Sequence, residues 1–342
     1  MALKLGFVGV GGIAQRHLNN AALRSDVTIV GHADIVLERA QTAAAKFGGQ
    51  AYDDCVALYE AQKPDAIVIC TSPDAHGRIE EEAASRGIPF FVEKPVAVDL
   101  ARAARVKKAV DAAGITTQVG YMYRFSEGIR KAKEQLANRP IAMVQQHFYM
   151  PGLPAREWWP DVTRSGGQLT EQSTHMLDLG RYLAGDVVEV RARTARVRDW
   201  TPKPNSPQTG GLLSAAEGFT IPDTCALVME YACGALGTLS CSMVPGTAWD
   251  CGFRIVAEGL IVTIDGGNVR WAGSESGEQK AGPNWMSYVL YDFLDAVRDG
   301  RCSLVPYDEG VRSLGISLAG YAAEASGQAV SPVDLVAPLF AK

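Results

Sequence analysis

The 342-residue sequence lacks several features that would place a chain in a class at once. It has no long basic run, and its formal net charge is −5, which argues against nucleic acid as the main partner. Its seven cysteines (Cys55, Cys70, Cys225, Cys233, Cys241, Cys251 and Cys302) are odd in number and form no C-x-x-C. Reduced, mostly packed thiols of a cytoplasmic protein are a simpler reading than a disulfide framework. There is no H-E-x-x-H, and no metal is expected. The one long uncharged stretch, Tyr231 to Trp249, carries Gly234, Gly237, Pro245 and Gly246 among serines and threonines; it reads as paired strands with a turn, not a membrane span. The apolar opening from Leu3 to Val10 is broken by glycines and followed by no A-x-A-like site, so it reads as a first strand rather than a signal peptide. No internal repeat is visible.

A hydrophobic fraction of 47% with 21% charged residues is that of an ordinary globular protein, and the length suits two domains. Up to residue 120, short apolar runs (Lys4–Val10, Val27–Ala33, Ala66–Cys70, Pro89–Val92, Thr116–Val119) alternate with helical patterns (Ile13–Leu23, Leu37–Phe47, Ala75–Arg86, Leu100–Ala113). That is the rhythm of a parallel sheet covered by helices. After Gly120 come a helix (Ser126–Ala137), a strand (Ile141–Met150), a Pro/Trp-rich loop and a helix from Gln168 to Ala184. Strand-like runs then follow one another at Val187–Val197, Thr224–Tyr231, Ala235–Met243, Phe253–Glu258 and Leu260–Ile264, which implies an antiparallel or mixed sheet. Helices over Trp285–Arg298 and Glu309–Ala325 close the pattern, and Thr201–Gly218, rich in Pro, Gly and Ser, reads as a mobile loop. The expected fold is α/β, with domains at 1–120 and 121–342.

Gly9-Val10-Gly11-Gly12-Ile13-Ala14 lies directly after a strand and before a helix, where a dinucleotide-binding turn belongs. Gly9 permits the tight turn, Gly11 lets backbone approach a pyrophosphate, and Ala14 allows close helix–strand packing. Asp34 ends the second strand, placed to accept both adenosine-ribose hydroxyls, with Ile35 and Val36 following and no arginine before Arg39. NAD is expected over NADP.

Glu93-Lys94-Pro95 puts an amine at a strand's C-terminal end, where open parallel sheets bind ligands; a solvated ion pair of Lys94 with Glu93 is the alternative. Gly166-Gly167 precedes Glu171, His175 and Asp178, which at i−4, i and i+3 would share one helix face. That set reads as a metal site, as a satisfied structural histidine, or as an acid/base imidazole oriented by a carboxylate. The other histidines, at 17, 32, 76 and 147, show no comparable company in the sequence.

With these residues in view, the chain resembles the glucose–fructose oxidoreductase and inositol dehydrogenase (Gfo/Idh/MocA) family nearly end to end. The glycine turn, Thr71-Ser72-Pro73-Asp74-Ala75-His76, Glu93-Lys94-Pro95, Gly166-Gly167…His175-x-x-Asp178 and Tyr307-Asp308-Glu309-Gly310…Ala329-Val330 carry the resemblance in order. It implies an N-terminal Rossmann-type doubly wound parallel sheet. It also implies a C-terminal α/β domain whose open, largely antiparallel sheet often forms an oligomer interface, here a homodimer or homotetramer. It further implies a sugar or cyclitol held against the nicotinamide, with Lys94 and His175 as the catalytic pair. Gly9, Val10, Gly11, Gly12, Ile13, Asp34, Ile35, Thr71, Ser72, Pro73, His76, Glu93 and Lys94 would border the cofactor. Glu171 departs from the resemblance, which leads one to expect aspartate there.

The expected chemistry is reversible oxidation of a secondary alcohol on a sugar or polyol. His175 would take the hydroxyl proton and Lys94 would hold the oxygen. Arg124, Tyr149, Trp159, Arg164 and Asp178 are candidate substrate contacts alongside them. Two alternatives stay open: a glycosidase that uses NAD transiently, by oxidation and elimination, and a cofactor- or sugar-sensing regulator without turnover.

Overall fold

The apolar runs of the N-terminal third become strands buried on both faces. In the computed structural model, which describes residues 2–341 except 202–207, 210–211, 214–215 and 247, they are β1 (Leu3–Val8), β2 (Val27–Ala33), β3 (Gln50–Tyr52), β4 (Ala66–Ile69), β5 (Phe90–Val92) and β6 (Thr117–Val119). All pair in parallel in the order β3-β2-β1-β4-β5-β6, the doubly wound order with its switch point between β1 and β4. Phe7, Val68, Ile69, Phe90, Phe91 and Val92 are fully buried, as near-continuous hydrophobic strands of a covered parallel sheet must be. The crossovers are α1 (Gly12–Ala22), α2 (Leu37–Phe47), α3 (Cys55–Gln62), α4 (Arg78–Ser85) and α5 (Leu100–Ala113).

The second unit contains α6 (Glu127–Leu136), β7 (Ile141–Tyr149), β8 (Leu153–Pro154), α7 (Val162–Ser165), α8 (Gly167–Glu171) and α9 (Thr174–Ala184). Strands β9 (Val187–Ala195), β10 (Gln208–Thr209), β11 (Leu212–Leu213), β12 (Thr224–Tyr231), β13 (Leu236–Ser242), β14 (Asp250–Ala257), β15 (Leu260–Asp265), β16 (Asn268–Gly273) and β17 (Gly277–Gln279) follow. Eight of these form one sheet, β17-β16-β15-β14-β7-β13-β12-β9. Only β7 and β13 pair in parallel within it, so the sheet is mixed and mostly antiparallel. Its strands alternate: in β12, Cys225, Leu227, Met229 and Tyr231 are buried while Ala226, Val228 and Glu230 are exposed. The inner face packs on helices and the outer face is open. The segment 201–218 expected as a mobile loop lies largely outside the described residues.

The chain then gives α10 (Tyr288–Asp299), α11 (Tyr307–Ser326) and α12 (Pro332–Val336). The first compact unit comprises Met1–Ala97, Ala101–Met122 and Ser287–Gly310; the second comprises Val98–Leu100, Tyr123–Met286 and Val311–Lys342. The expected division at residue 120 therefore misses a return segment that completes the first unit. In that segment Val119 N–H donates to the Val305 carbonyl at 2.8 Å, Gln118 Nε2 donates to the Val289 carbonyl at 2.8 Å, and Phe293 packs on Phe91 with ring centroids 6.2 Å apart.

The expected helix from Gln168 to Ala184 is two helices. Both Gln172 and Ser173 donate their N–H to the Gln168 carbonyl, at 3.0 and 2.9 Å, and His175 N–H reaches Gln172 at 3.2 Å. The break puts Glu171 at the end of α8 and His175 in the first turn of α9. The single helix face expected for Glu171, His175 and Asp178 thus holds only for the last two.

Candidate active site

At the β1–α1 turn, Gly9 adopts φ +78°, and a Cβ there would lie 2.7 Å from the Cys70 carbonyl oxygen, so only glycine fits between β1 and β4. Gly11 is the opposite case: a Cβ would meet nothing within 4 Å. The helix it precedes has no side-chain cap. Backbone amides at the start of α1 therefore face open space, which suits a pyrophosphate. Asp34, at the end of β2, is 9% exposed. Its Oδ2 accepts the Val10 N–H at 3.0 Å and its Oδ1 the Val36 N–H at 2.9 Å, which locks the carboxylate to the turn and leaves each oxygen further acceptor capacity. Ile13 and Ile35 are 40% and 93% exposed beside it. These groups fit a dinucleotide.

Two more pieces of the same unit lie at strand C-termini. After β4, Thr71 and Ser72 lead into a 3-10 turn, Pro73–Ala75, and a buried His76. After β5, Glu93 is buried and Lys94 half-buried, before a cis Lys94–Pro95 bond. Glu93 Oε1 lies 2.8 Å from His17 Nε2 of α1. Burial works to raise the Glu93 carboxyl, but the His17 hydrogen bond and the electrostatic pull of His17 and Lys94 outweigh it and hold the group below the ordinary range. Gly120 packs so close to this carboxylate that a Cβ would sit 2.7 Å from Oε2.

In the second unit, Gly167 adopts φ +72°, and a Cβ there would lie 2.5 Å from the Tyr321 hydroxyl, which donates to the Gly166 carbonyl at 2.9 Å. The group that the glycine pair admits is thus a tyrosine of α11, which fixes the start of α8. Glu171 and His175 are each 7% exposed. His175 meets the edge of Tyr123 with centroids 5.7 Å apart. One turn on, Asp178 is 1% exposed and takes a bidentate pair from Arg124, Nε to Oδ2 at 2.9 Å and Nη2 to Oδ1 at 2.6 Å. Ser313 adds a donor at 3.3 Å, and the guanidinium lies over Tyr182.

The structure places the remaining expected substrate residues unevenly. Tyr149, half-buried, bonds Ser240 through its hydroxyl at 2.6 Å, and Arg164 is half-buried in α7. Trp159 is 1% exposed, so its faces are spent on packing; its stacked neighbour Trp158, at 6.4 Å, is the more open ring. Arg124 and Asp178 are joined to each other. Among the described residues no group of three or more His, Cys, Asp or Glu is placed to hold a metal ion, and no helix is long and apolar enough to cross a membrane.

Residues 3–121 match the family described as "Oxidoreductase family, NAD-binding Rossmann fold", and residues 129–261 match the "GFO/IDH/MocA C-terminal domain". This chain belongs to the GFO/IDH/MocA oxidoreductase family. Inositol 2-dehydrogenase 4 of Saccharopolyspora erythraea is 29% identical over 98% of this chain and 96% of that protein. Myo-inositol 2-dehydrogenase of Thermotoga maritima is 27% identical over 55% of this chain and 56% of its own. A levoglucosan dehydrogenase in complex with NADH shares the fold, with a TM-score of 0.83 at 20% identity, over 97% of this chain and 99% of that one.

For a GFO/IDH/MocA chain, two further histidines hold more than their sequence neighbourhoods suggest. His17 pairs with Glu93 across 76 residues, which no local pattern could reveal. His76 Nδ1 sits 2.6 Å from Glu80 Oε1, whose Oε2 takes the Gly77 N–H at 2.6 Å. That i, i+4 spacing was visible in the sequence and is the signal that sequence reading passed over.

Proposed function

We propose that this family member is an NAD-dependent dehydrogenase of a sugar or cyclitol, with Lys94 and His175 acting on one substrate hydroxyl. The observation that carries this reading is the first unit's cradle. An uncapped α1 with open space at Gly11 and a locked Asp34 stand in the same sheet as Lys94, at the C-terminal end of β5. The inositol 2-dehydrogenase relatives support the substrate class.

NAD, which the amides at the start of α1 and Asp34 would hold, would supply the hydride acceptor for the carbinol carbon. Lys94, a cation beside the Glu93 carboxylate, donates to the substrate oxygen and stabilises its developing charge. His175 takes the hydroxyl proton. Arg124 and Asp178 hold the α9 turn that presents the imidazole, while Tyr149, Trp158 and Arg164 supply contacts to the ring and its hydroxyls. The open sheet face carries Met143, Leu236, Val228 and Ile261, all at least one-third exposed, and supports self-association as a dimer or tetramer.

Turnover of a panel of cyclitols, aldoses and sugar acids with NAD, followed by NADH absorbance, tests the reading. Net NADH formation is expected. Sugar release without net NADH would favour the glycosidase reading, and binding without either a sensor.

Cofactor choice is a separate expectation. Asp34→Ala removes a charged acceptor for the ribose hydroxyls, worth about 1.5–3 kcal/mol, so NAD affinity falls by roughly 10- to 100-fold while NADP affinity changes little or improves. Calorimetric titration of both nucleotides at one ionic strength checks this; tighter NADP than NAD binding by the unaltered chain sinks the assignment.

Glu171 is expected to act through His175. Glu171→Gln lowers kcat and moves the acidic limb of the pH–rate profile for alcohol oxidation to lower pH, since a neutral amide stabilises imidazolium less, whereas Glu171→Asp is milder. Changes confined to KM in both variants would instead make Glu171 a substrate contact.

A further inference from the structure

Beneath the α8–α9 break lie two cysteines that the chemistry above does not use. Cys225 of β12 and Cys241 of β13 stand directly opposite in the antiparallel register. Met243 N–H donates to Asp223 and Tyr231 N–H to Ala235, each at 2.9 Å. By the alternation of that ladder, Cys225 and Cys241 are also a hydrogen-bonded pair, with an expected Cα separation of about 5.5 Å. This lies within the roughly 4.4–6.8 Å that a disulfide can bridge. Both side chains point to the inner face and are buried, at 1% and 0% exposure, and the two thiols are close enough to shift each other's ionisation.

What covers them is the segment that carries Glu171 and His175. The Ser173 hydroxyl lies against the Cys241 sulfur and has no oxygen or nitrogen partner among the described residues. Gln168 Nε2 ties α8 to the Ser242 and Phe148 carbonyls at 3.2 Å each. A change at the thiol pair is therefore felt first where α8 passes into α9.

We propose that Cys225 and Cys241 are a reversible thiol–disulfide site, closed by a small hydroperoxide, that acts on the turn bearing Glu171 and His175. The hydrogen bond from Cys225, against burial and aided by Ser173, holds the Cys241 thiol below the ordinary range and makes it the attacking sulfur. The Cys241 thiolate attacks the peroxide, the O–O bond breaks, and a sulfenic acid forms as water leaves. Cys225 sulfur then attacks the sulfenic sulfur, the S–S bond forms, and a second water departs with the Cys225 proton. Two thiols and one hydrogen peroxide give one disulfide and two waters. Bulky disulfide oxidants cannot reach the pair, which fits a small oxidant.

Side chains of a hydrogen-bonded antiparallel pair stand further apart than those of the alternate pairs. Closing them to an S–S bond of about 2.05 Å draws the strands together and strains the bridge. Strained disulfides are the readily reduced ones. Closure also takes the thiol away from Ser173, whose hydroxyl then has to find another partner.

The test uses the full chain with Cys233→Ser, Cys251→Ser and Cys302→Ser, which removes the exposed and half-buried thiols. After hydrogen peroxide, alkylation and digestion, mass spectrometry should show a Cys225–Cys241 linked peptide that disappears with dithiothreitol and never forms in Cys225→Val. Amide hydrogen exchange over residues 166–176 should rise about tenfold or more in the oxidised protein and recover on reduction, with β1 and β4 unchanged. Unlinked thiols in the folded, peroxide-treated protein, sulfinic acid in place of the bridge, or a bridge with unaltered exchange at 166–176 would each overturn the proposal. None of these readouts depends on substrate, so failure here leaves the dehydrogenase reading standing, and the reverse.

Discussion

His175→Ala and Lys94→Ala should each lower kcat by about 10²–10⁴, the usual loss for a positioned acid, base or electrostatic group, while NAD binding persists. Both substitutions leave intact the β1–α1 turn and the Asp34 carboxylate that are expected to hold the nucleotide. Steady-state kinetics with the best alcohol of the panel, alongside NAD titration, reads both halves. A His175→Ala protein with near-normal kcat refutes its role. The competing structural reading of His175 predicts something else: a buried imidazole packed on Tyr123 would, on removal, cost stability more than rate. Melting of the variant distinguishes the two. For Lys94, the alternative of a simple ion pair with Glu93 predicts a rate loss of less than tenfold; Lys94→Met tests it without adding polarity.

The largest stability effect is expected at Arg124 and Asp178. Both are buried, and each satisfies the other through two short hydrogen bonds. Removing one partner leaves the other charge buried, at a cost of about 3–5 kcal/mol. Arg124→Met and Asp178→Leu should each shift the urea midpoint strongly toward lower concentration. The double variant should be less destabilised than the sum of the two, because it buries no lone charge. Additivity within about 0.5 kcal/mol would mean that the pair does not act as a unit. Because Asp178 is one turn after His175 in α9, kcat should fall in the single variants even at temperatures where they remain folded.

Much of the fold was legible because its signals are local. The inward–outward alternation of β12 and the glycine turn between β1 and α1 can both be read from a few adjacent residues. What stayed hidden depends on contacts distant in sequence. The apolar run Cys55–Tyr59 has no helical period, and α3 forms because Asp54 caps it through the Val56 N–H at 2.8 Å. Strands β16 and β17 are short and rich in polar residues and glycine; β16 takes its hydrogen bonds from β15, and β17 from β16. The break after Glu171 arises where Gln168 must serve β13 and β7 while its own carbonyl accepts two amides. Within the candidate site, Lys94, His175 and Asp34 announced themselves by position. The pairing of Arg124 with Asp178, and of His17 with Glu93, spans 54 and 76 residues, and no spacing rule reaches that far.

The return of Ser287–Gly310 to the first unit has a consequence for biosynthesis. On the ribosome, β1 to β6 emerge early, yet β6 lacks the partners that Gln118 and Val119 take from Val289 and Val305, and Phe91 lacks Phe293. At about 5–20 residues per second, the intervening segment delays completion by roughly ten seconds or more. Throughout that interval an apolar sheet face stands partly uncovered. The nucleotide domain cannot mature before the domain that follows it has been made, so the order of synthesis is not the order of completion. A C-terminally truncated product ending before residue 287 should accordingly be a substrate for chaperones and proteases rather than a free-standing nucleotide-binding module.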